Sequence, residues 1–266
     1  RGDPPHEFAD SVKWHRANLL EHSEVERLFA SIQPTHLIQL AWCAAPGTYW
    51  RDHENLDWVS ANLWMAQAFI RHGGERCLFA GTSAEYDWSD SGPCHESFTP
   101  LKPQLLYGAS KLASYHALGA LFEQEGISWA WARFFCPFGP DENRQRLIPR
   151  TCLRLLGGER LEFDSALETR DFLYTDDLAS ALLAILRSRL TGAVNVASGK
   201  AVTVRGIVEA ISRHLDCENL LSFKASPSTA HREAGSVTAD VTRLFQDAGW
   251  TPETTLDERL KQTCSW

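Results

Sequence analysis

Tyr107 and Lys111 stand four residues apart in the stretch Leu105-Leu-Tyr-Gly-Ala-Ser-Lys111. The apolar positions Leu105, Leu106, Ala109, Leu112, Ala113 and Leu118 read as a helix. Both polar side chains therefore leave one face, a turn apart. An ammonium beside a phenol stabilises the phenolate and draws its pKa down from about 10. A tyrosine tuned in this way moves protons near neutral pH. The same spacing also suits a plain solvated helix face, so the neighbouring segments decide between the two.

Upstream, Cys77 to Ala80 form a short apolar run that reads as a buried parallel strand ending in Gly81-Thr82-Ser83. In open α/β sheets the ligand sits beyond the carboxyl ends of the strands. A hydroxyl at such an end, followed by Tyr107 and Lys111 on the next helix, makes a Thr82/Tyr107/Lys111 triad a coherent site. Positioning it requires alternating elements, and the first half of the chain supplies them. Residues 24–32 and 54–72 read as helices, the second stopped by Gly73-Gly74, and residues 35–41 and 127–135 as strands. After Gly139-Pro140 the pattern changes: helices over 144–156, 176–187, 204–215 (opened by Thr203 as a cap), 241–248 and 256–263, with short strands at 160–163 and 193–196.

The bulk properties exclude several classes. The 266 residues with 44% hydrophobic content can bury a sizeable core. A net charge of −8 argues against a nucleic-acid or anionic-membrane binder. Apolar stretches such as 127–135 fall well short of the roughly 18 residues of a membrane span. The 7 cysteines are odd in number and scattered through apolar runs, which fits buried thiols in a reducing cytoplasm. No Cys/His spacing matches a metal site, Cys94-His95 being an isolated pair.

Taken together, Leu37-Ile-Gln-Leu-Ala-Trp42, the Thr82 strand end, Tyr107/Lys111, Arg133-Phe-Phe-Cys-Pro-Phe-Gly-Pro140, Arg170-Asp-Phe-Leu-Tyr-Thr-Asp-Asp177 and Asn195-Val-Ala-Ser-Gly199 span nearly the whole chain. In these segments the sequence resembles the extended short-chain dehydrogenase/reductases, the NAD-dependent epimerase/dehydratase family acting on nucleotide sugars. The resemblance implies an α/β fold with a Rossmann-like doubly wound parallel sheet and a small α+β substrate lid. Residues 1–140, with 171–199 returning, would form the dinucleotide domain, and 141–170 with 200–266 the lid. It implies NAD or NADP as cofactor, a nucleotide sugar as substrate, a cytoplasmic location and a homodimer facing its mate through the helices of residues 54–72 and 105–123.

The resemblance also assigns roles. Tyr107 would be the acid/base, Lys111 would lower its pKa and donate to the nicotinamide ribose, and Thr82 would donate to the substrate oxygen. Ala41, Trp42 and Phe135 would flank the cofactor with Tyr107 and Lys111. Ser83, Cys136, Arg146 and Arg170 would meet the substrate, the arginines because a guanidinium fork matches phosphate oxygens. The bland alternative pairs Arg146 and Arg170 with acidic neighbours such as Glu142 and Asp171. Two departures matter. Sugar dehydratases of this kind carry Asp-Glu where Ser83-Ala84 stand, so dehydration is disfavoured, and Glu85, one step along, would point the other way. Cys136 replaces a usual asparagine, and a thiol is a poor donor. A 4-ketoreductase or an epimerase remains; the alternative is a non-catalytic nucleotide- or partner-binding protein on the same fold.

The family's glycine-rich turn, which holds a pyrophosphate on backbone N–H groups, has no counterpart near the start. The first 72 residues contain only Gly2 and Gly47. The first βαβ unit, roughly 35–45 residues, is expected to be absent from this sequence rather than from the natural protein. Its loss would expose a hydrophobic sheet edge. A natural remnant is the other reading. Trp42, Tyr49, Trp50, Trp58 and Trp64 crowd the region after the strand at residue 41. They suit either core and interface packing or an aromatic wall for a ligand.

Overall fold

A computed structural model describes residues 12–89, 92–164, 166–224 and 237–266. Gly2, the first eleven residues of the expected dinucleotide domain and residues 225–236 of the expected lid lie outside them. In chain order the elements are α1 (His22–Ile32), β1 (His36–Gln39), α2 (Glu54–Arg71), β2 (Arg76–Thr82), α3 (Leu106–Glu125), β3 (Ser128–Phe134), β4 (Cys136–Phe138), α4 (Leu147–Leu156) and β5 (Leu161–Phe163). There follow β6 (Thr169–Tyr174), α5 (Thr175–Arg187), β7 (Gly192–Val196), β8 (Ala201–Thr203), α6 (Val204–His214), β9 (Leu221–Phe223), α7 (Thr242–Gln246) and α8 (Leu256–Ser265).

The main sheet has the order β1-β2-β3-β7, with every pair parallel. Its strands are apolar on both faces because helices cover both. Cys77, Phe79, Trp129 and Trp131 pack against the layer of α1, α2 and α3. The alternate positions Leu78, Ala130, Ala132, Val194 and Val196 pack against α5 and α7. This period of two is the pleat of a doubly wound sheet. At its edge, β1 is only partly covered, and Leu40 just beyond it is 53% exposed.

The lid gathers β4-β6-β8, β5-β9, α4, α6 and α8 around Phe138, Ile148, Leu155, Phe172, Ile207 and Ile211. The expected bounds need correcting: β4, from the expected 1–140 span, and most of β6, from the expected 171–199 span, join the lid core, and the 200–266 span leaves it once. Leu244 of α7 and Trp250 are buried on the main sheet's second face, so the chain returns to that layer before α8. The expected Thr203 cap forms, its hydroxyl accepting the Gly206 N–H at 3.0 Å, and Gly126 closes α3 at φ +68°. Helix α4 starts at Leu147 rather than at residue 144. There the Asn143 side chain takes the Gln145 N–H and its carbonyl the Arg146 N–H, which holds a turn instead.

Candidate active site

The end of β2 is held from beneath. Ser83–Glu85 form a single 3₁₀ turn in which the Thr82 hydroxyl accepts the Ala84 N–H at 3.2 Å and Glu85 accepts the Thr82 N–H at 2.9 Å. The Glu85 carboxylate is fully buried, accepts from the Trp131 indole at 2.9 Å and pairs with Arg133 at 2.7 Å. Arg133 also donates to the Tyr86 hydroxyl, which donates to Asn195. The carboxyl ends of β2, β3 and β7 are thus tied by one buried polar network, whose hydrogen bonds offset the cost of dehydrating the ion pair. Glu85, expected to point away, instead has its carboxylate on the Thr82 N–H, where its charge reaches Tyr107 and Lys111. Its bonds to Trp131 and Arg133 commit it to holding the strand end.

Helix α3 rests directly on this turn. A Cβ at Gly108 would lie 2.3 Å from the Ala84 carbonyl oxygen, so only glycine permits the approach. That contact brings Tyr107 to Thr82. The Tyr107 N–H donates to the Trp50 carbonyl at 3.1 Å, and its ring meets Tyr49, Trp50 and Trp42 edge-on at 4.9, 5.6 and 6.4 Å. Burial among these rings pushes the phenol up to about 12; hydrogen bonding with Thr82 and the charge of Arg146 pull it down, against the charge of Glu85.

Lys111 is 2% exposed, donates to the Ala80 carbonyl at 2.7 Å and lies 3.8 Å above the Trp42 ring. Burial draws its pKa down to about 7, partly opposed by Glu85. Burial thus works against the expected electrostatics in this arrangement: it weakens the amine's hold on its proton and holds the phenol above its ordinary value. The two groups do share a face, one turn apart, as the spacing requires.

Beside this pair opens a cleft of about 320 Å³ lined by Tyr49, Trp50, Cys136, Pro137, Glu142, Arg146, Arg170 and Phe172, among others. It unites three of the four substrate positions expected from the sequence, Cys136, Arg146 and Arg170. Arg146 pairs with Glu142 at 2.7 Å. The other Glu142 oxygen is buried without a partner among the described residues, and burial raises this carboxyl to about 7. Arg170 donates to the Thr169 carbonyl. Asp171 instead turns inward, accepting from Ser198, Gly199 and Ala239. Burial holds the Cys136 thiol up at about 11, so it faces the cleft uncharged.

The remaining expected positions lie further off. Ser83 is buried in the 3₁₀ turn, where its carbonyl accepts from the Trp88 indole. Phe135 packs with Tyr86, Ala197, Val237 and Ala239. Ala41 is partly exposed after β1, its carbonyl accepting from Gln39. The aromatic cluster divides by role. Trp42 bonds Asn55 and stacks on Trp58, and Trp64 stacks on His22, whereas Tyr49 and Trp50 touch Tyr107 and line the cleft as well. Glu142 is the functional candidate that sequence reasoning missed except as an arginine's neighbour; its spacing of four from Arg146 was the available signal. Among the described residues His95, Glu96 and Asp240 bring possible metal donors within 4.8 Å. Glu96 and Asp240 there accept the Asn195 and Thr242 N–H groups.

For a dinucleotide, the nicotinamide half fits: Thr82, Tyr107 and Lys111 gather at a parallel strand end. The pyrophosphate half finds no glycine turn among the described residues 12–72, whose one glycine is Gly47, at φ +86°. Among the described residues no helix is long and apolar enough to cross a membrane.

Comparison with known proteins identifies the family. The family model for the NAD dependent epimerase/dehydratase family matches residues 2–197. UDP-glucuronic acid decarboxylase 1 of Xenopus tropicalis is 26% identical over 253 residues, covering 92% of this chain and 59% of its own length. The chain thus spans under two thirds of that relative. GDP-6-deoxy-D-mannose reductase of Pseudomonas aeruginosa is 31% identical over 185 residues, covering 65% of this chain and 59% of its own. The solved structure of RMD from Pseudomonas aeruginosa complexed with NADPH superposes with a TM-score of 0.83 at 26% identity, covering 94% of this chain and 85% of that one. The chain belongs to the NAD dependent epimerase/dehydratase family.

Proposed function

We propose that this chain is an NAD(P)-dependent oxidoreductase acting on a nucleotide sugar, with Tyr107 as acid/base and Thr82 as second donor to the same substrate oxygen. The observation that carries it is the closeness of the Thr82–Tyr107 pair to a cleft containing two arginines, Tyr49 and Trp50 touching Tyr107 and lining the cleft as well. The pair suits a carbonyl or carbinol oxygen. Arg146 and Arg170 suit a diphosphate, and Arg146 would exchange Glu142 for it. Bound nicotinamide would supply or accept the hydride. Lys111 and Tyr107 would hold its ribose side, next to Trp42 and Ala41.

Either a 4-ketoreductase or an epimerase would use this phenol, as donor in one direction and acceptor in the other. We read the chain as the 4-ketoreductase, a choice supported by the name of one relative, GDP-6-deoxy-D-mannose reductase. Dehydration is disfavoured because Ser83 and Ala84 cannot exchange protons and Glu85 is committed to Arg133. We read the enzyme as a cytoplasmic homodimer.

The test is a screen of the full chain against 4-keto nucleotide sugars with NADH or NADPH, followed by cofactor absorbance. Reduced cofactor should be consumed in step with product. A nucleotide sugar that binds yet turns over with neither cofactor would instead support the non-catalytic binder.

A further inference from the structure

Two thiols meet in the lid core, neither among the residues that line the cleft. Cys152 is 6% exposed on the buried side of α4, and Cys264 is half-buried in the last turn of α8. Their sulfur atoms lie 3.7 Å apart although 112 residues separate them in sequence. Both belong to the lid core, where a third thiol, Cys217, is directed at the Leu215 and Leu155 carbonyls. A disulfide needs about 2.05 Å, so closure asks for a shift of less than about 2 Å along an existing contact.

We propose that Cys152 and Cys264 form a redox-active dithiol, converted by a small-molecule disulfide such as oxidised glutathione into an intramolecular bond that staples α8 to α4. The pair is asymmetric in the way exchange requires. Cys264 is the more accessible thiol, and its hydrogen-bond contact with Cys152 holds its pKa below the usual range. The same bond and burial push Cys152 up. Cys264 thiolate attacks one glutathione sulfur, breaking that S–S bond, and one glutathione leaves as thiolate and takes up a proton. Cys152 then loses its proton and attacks the Cys264 sulfur, expelling the second glutathione. Two protein thiols are oxidised and one glutathione disulfide is reduced to two thiols.

The staple would act on the cleft's own framework. Helix α4 opens with Leu147 and Ile148, which line the cleft beside Arg146, while Arg259 on α8 pairs with Asp177 at the start of α5. Bridging positions so far apart in sequence constrains the unfolded chain strongly.

The test incubates the folded full chain with oxidised glutathione, traps it by alkylation and maps peptides. The expected product has lost two hydrogens, links Cys152 to Cys264, melts roughly 5–15 °C higher and reverts with dithiothreitol. Cys152→Ser should leave glutathione stably attached to Cys264, and Cys264→Ser should leave Cys152 unmodified. The proposal is overturned if wild type keeps a persistent mixed disulfide on Cys264, joins Cys264 to Cys217, or yields no linked peptide.

Discussion

Lys111 lies between the Ala80 carbonyl and the Trp42 indole, and the Tyr107 phenol lies among three aromatic rings. For both, burial outweighs the neighbouring charges, and it moves them in opposite directions because one loses charge on deprotonation and the other gains it. The consequence for stability has a definite sign. Above about pH 7 the folded chain holds Lys111 neutral, whereas the unfolded chain keeps this proton until about 10.4. The unfolded state binds more protons in that window, so stability rises with pH through it. Urea unfolding between pH 7 and 9 should show wild type gaining on Lys111→Met by up to roughly 1.4 kcal/mol per pH unit. Parallel pH profiles would show that the amine is charged in the fold. The Tyr107/Lys111 spacing was legible in the sequence because it lies within one helix. Their ionisation was not, because it depends on Tyr49, Trp50 and Trp42, which arrive from a loop far upstream.

At the scale of elements, the contact between α3 and the Ser83–Glu85 turn sets the site's geometry. Glycine inside a helix usually costs about 0.5–1 kcal/mol relative to alanine. At Gly108 the sign should invert, because the added methyl would meet the rigid Ala84 carbonyl rather than a flexible side chain. Gly108→Ala is expected to destabilise by roughly 1–3 kcal/mol in urea unfolding and to lower turnover together with it. A stabilised variant would mean that the helix does not bear on the turn. Long periodic helices such as α2, α3 and α6, and the buried strands β2 and β3, could be read from the sequence to within a few residues. The strands β4, β8 and β9 could not. Each is three residues long and carries no period of its own, its pairing being set by the lid core.

For the whole molecule, the parallel sheet and its two helical layers follow from alternating apolar runs, and the family resemblance extends that to the lid. The cleft between them was only half legible. Arg146, Arg170 and Cys136 were foreseen from motifs and an aromatic wall was one reading of Tyr49 and Trp50, whereas the burial of Glu142 depends on the packing of the cleft. The return of Leu244 and Trp250 to the sheet was likewise hidden, since it depends on tertiary packing. The expected homodimer places α2 and α3 against their mates. These helices pack side by side over one face of the sheet, with Leu56 exposed at 53% at the start of α2. Light scattering of the full chain should return twice the chain mass, and Leu56→Arg should shift it towards the monomer; a monomeric wild type would contradict this arrangement.

The most direct test of the account is turnover of Tyr107→Phe on a keto-sugar nucleotide that the wild type reduces. Removing one hydroxyl leaves the ring in its aromatic enclosure, so folding should be near normal while the rate falls about 10²-fold or more. A folded variant that keeps the wild-type rate would remove Tyr107 from the chemistry.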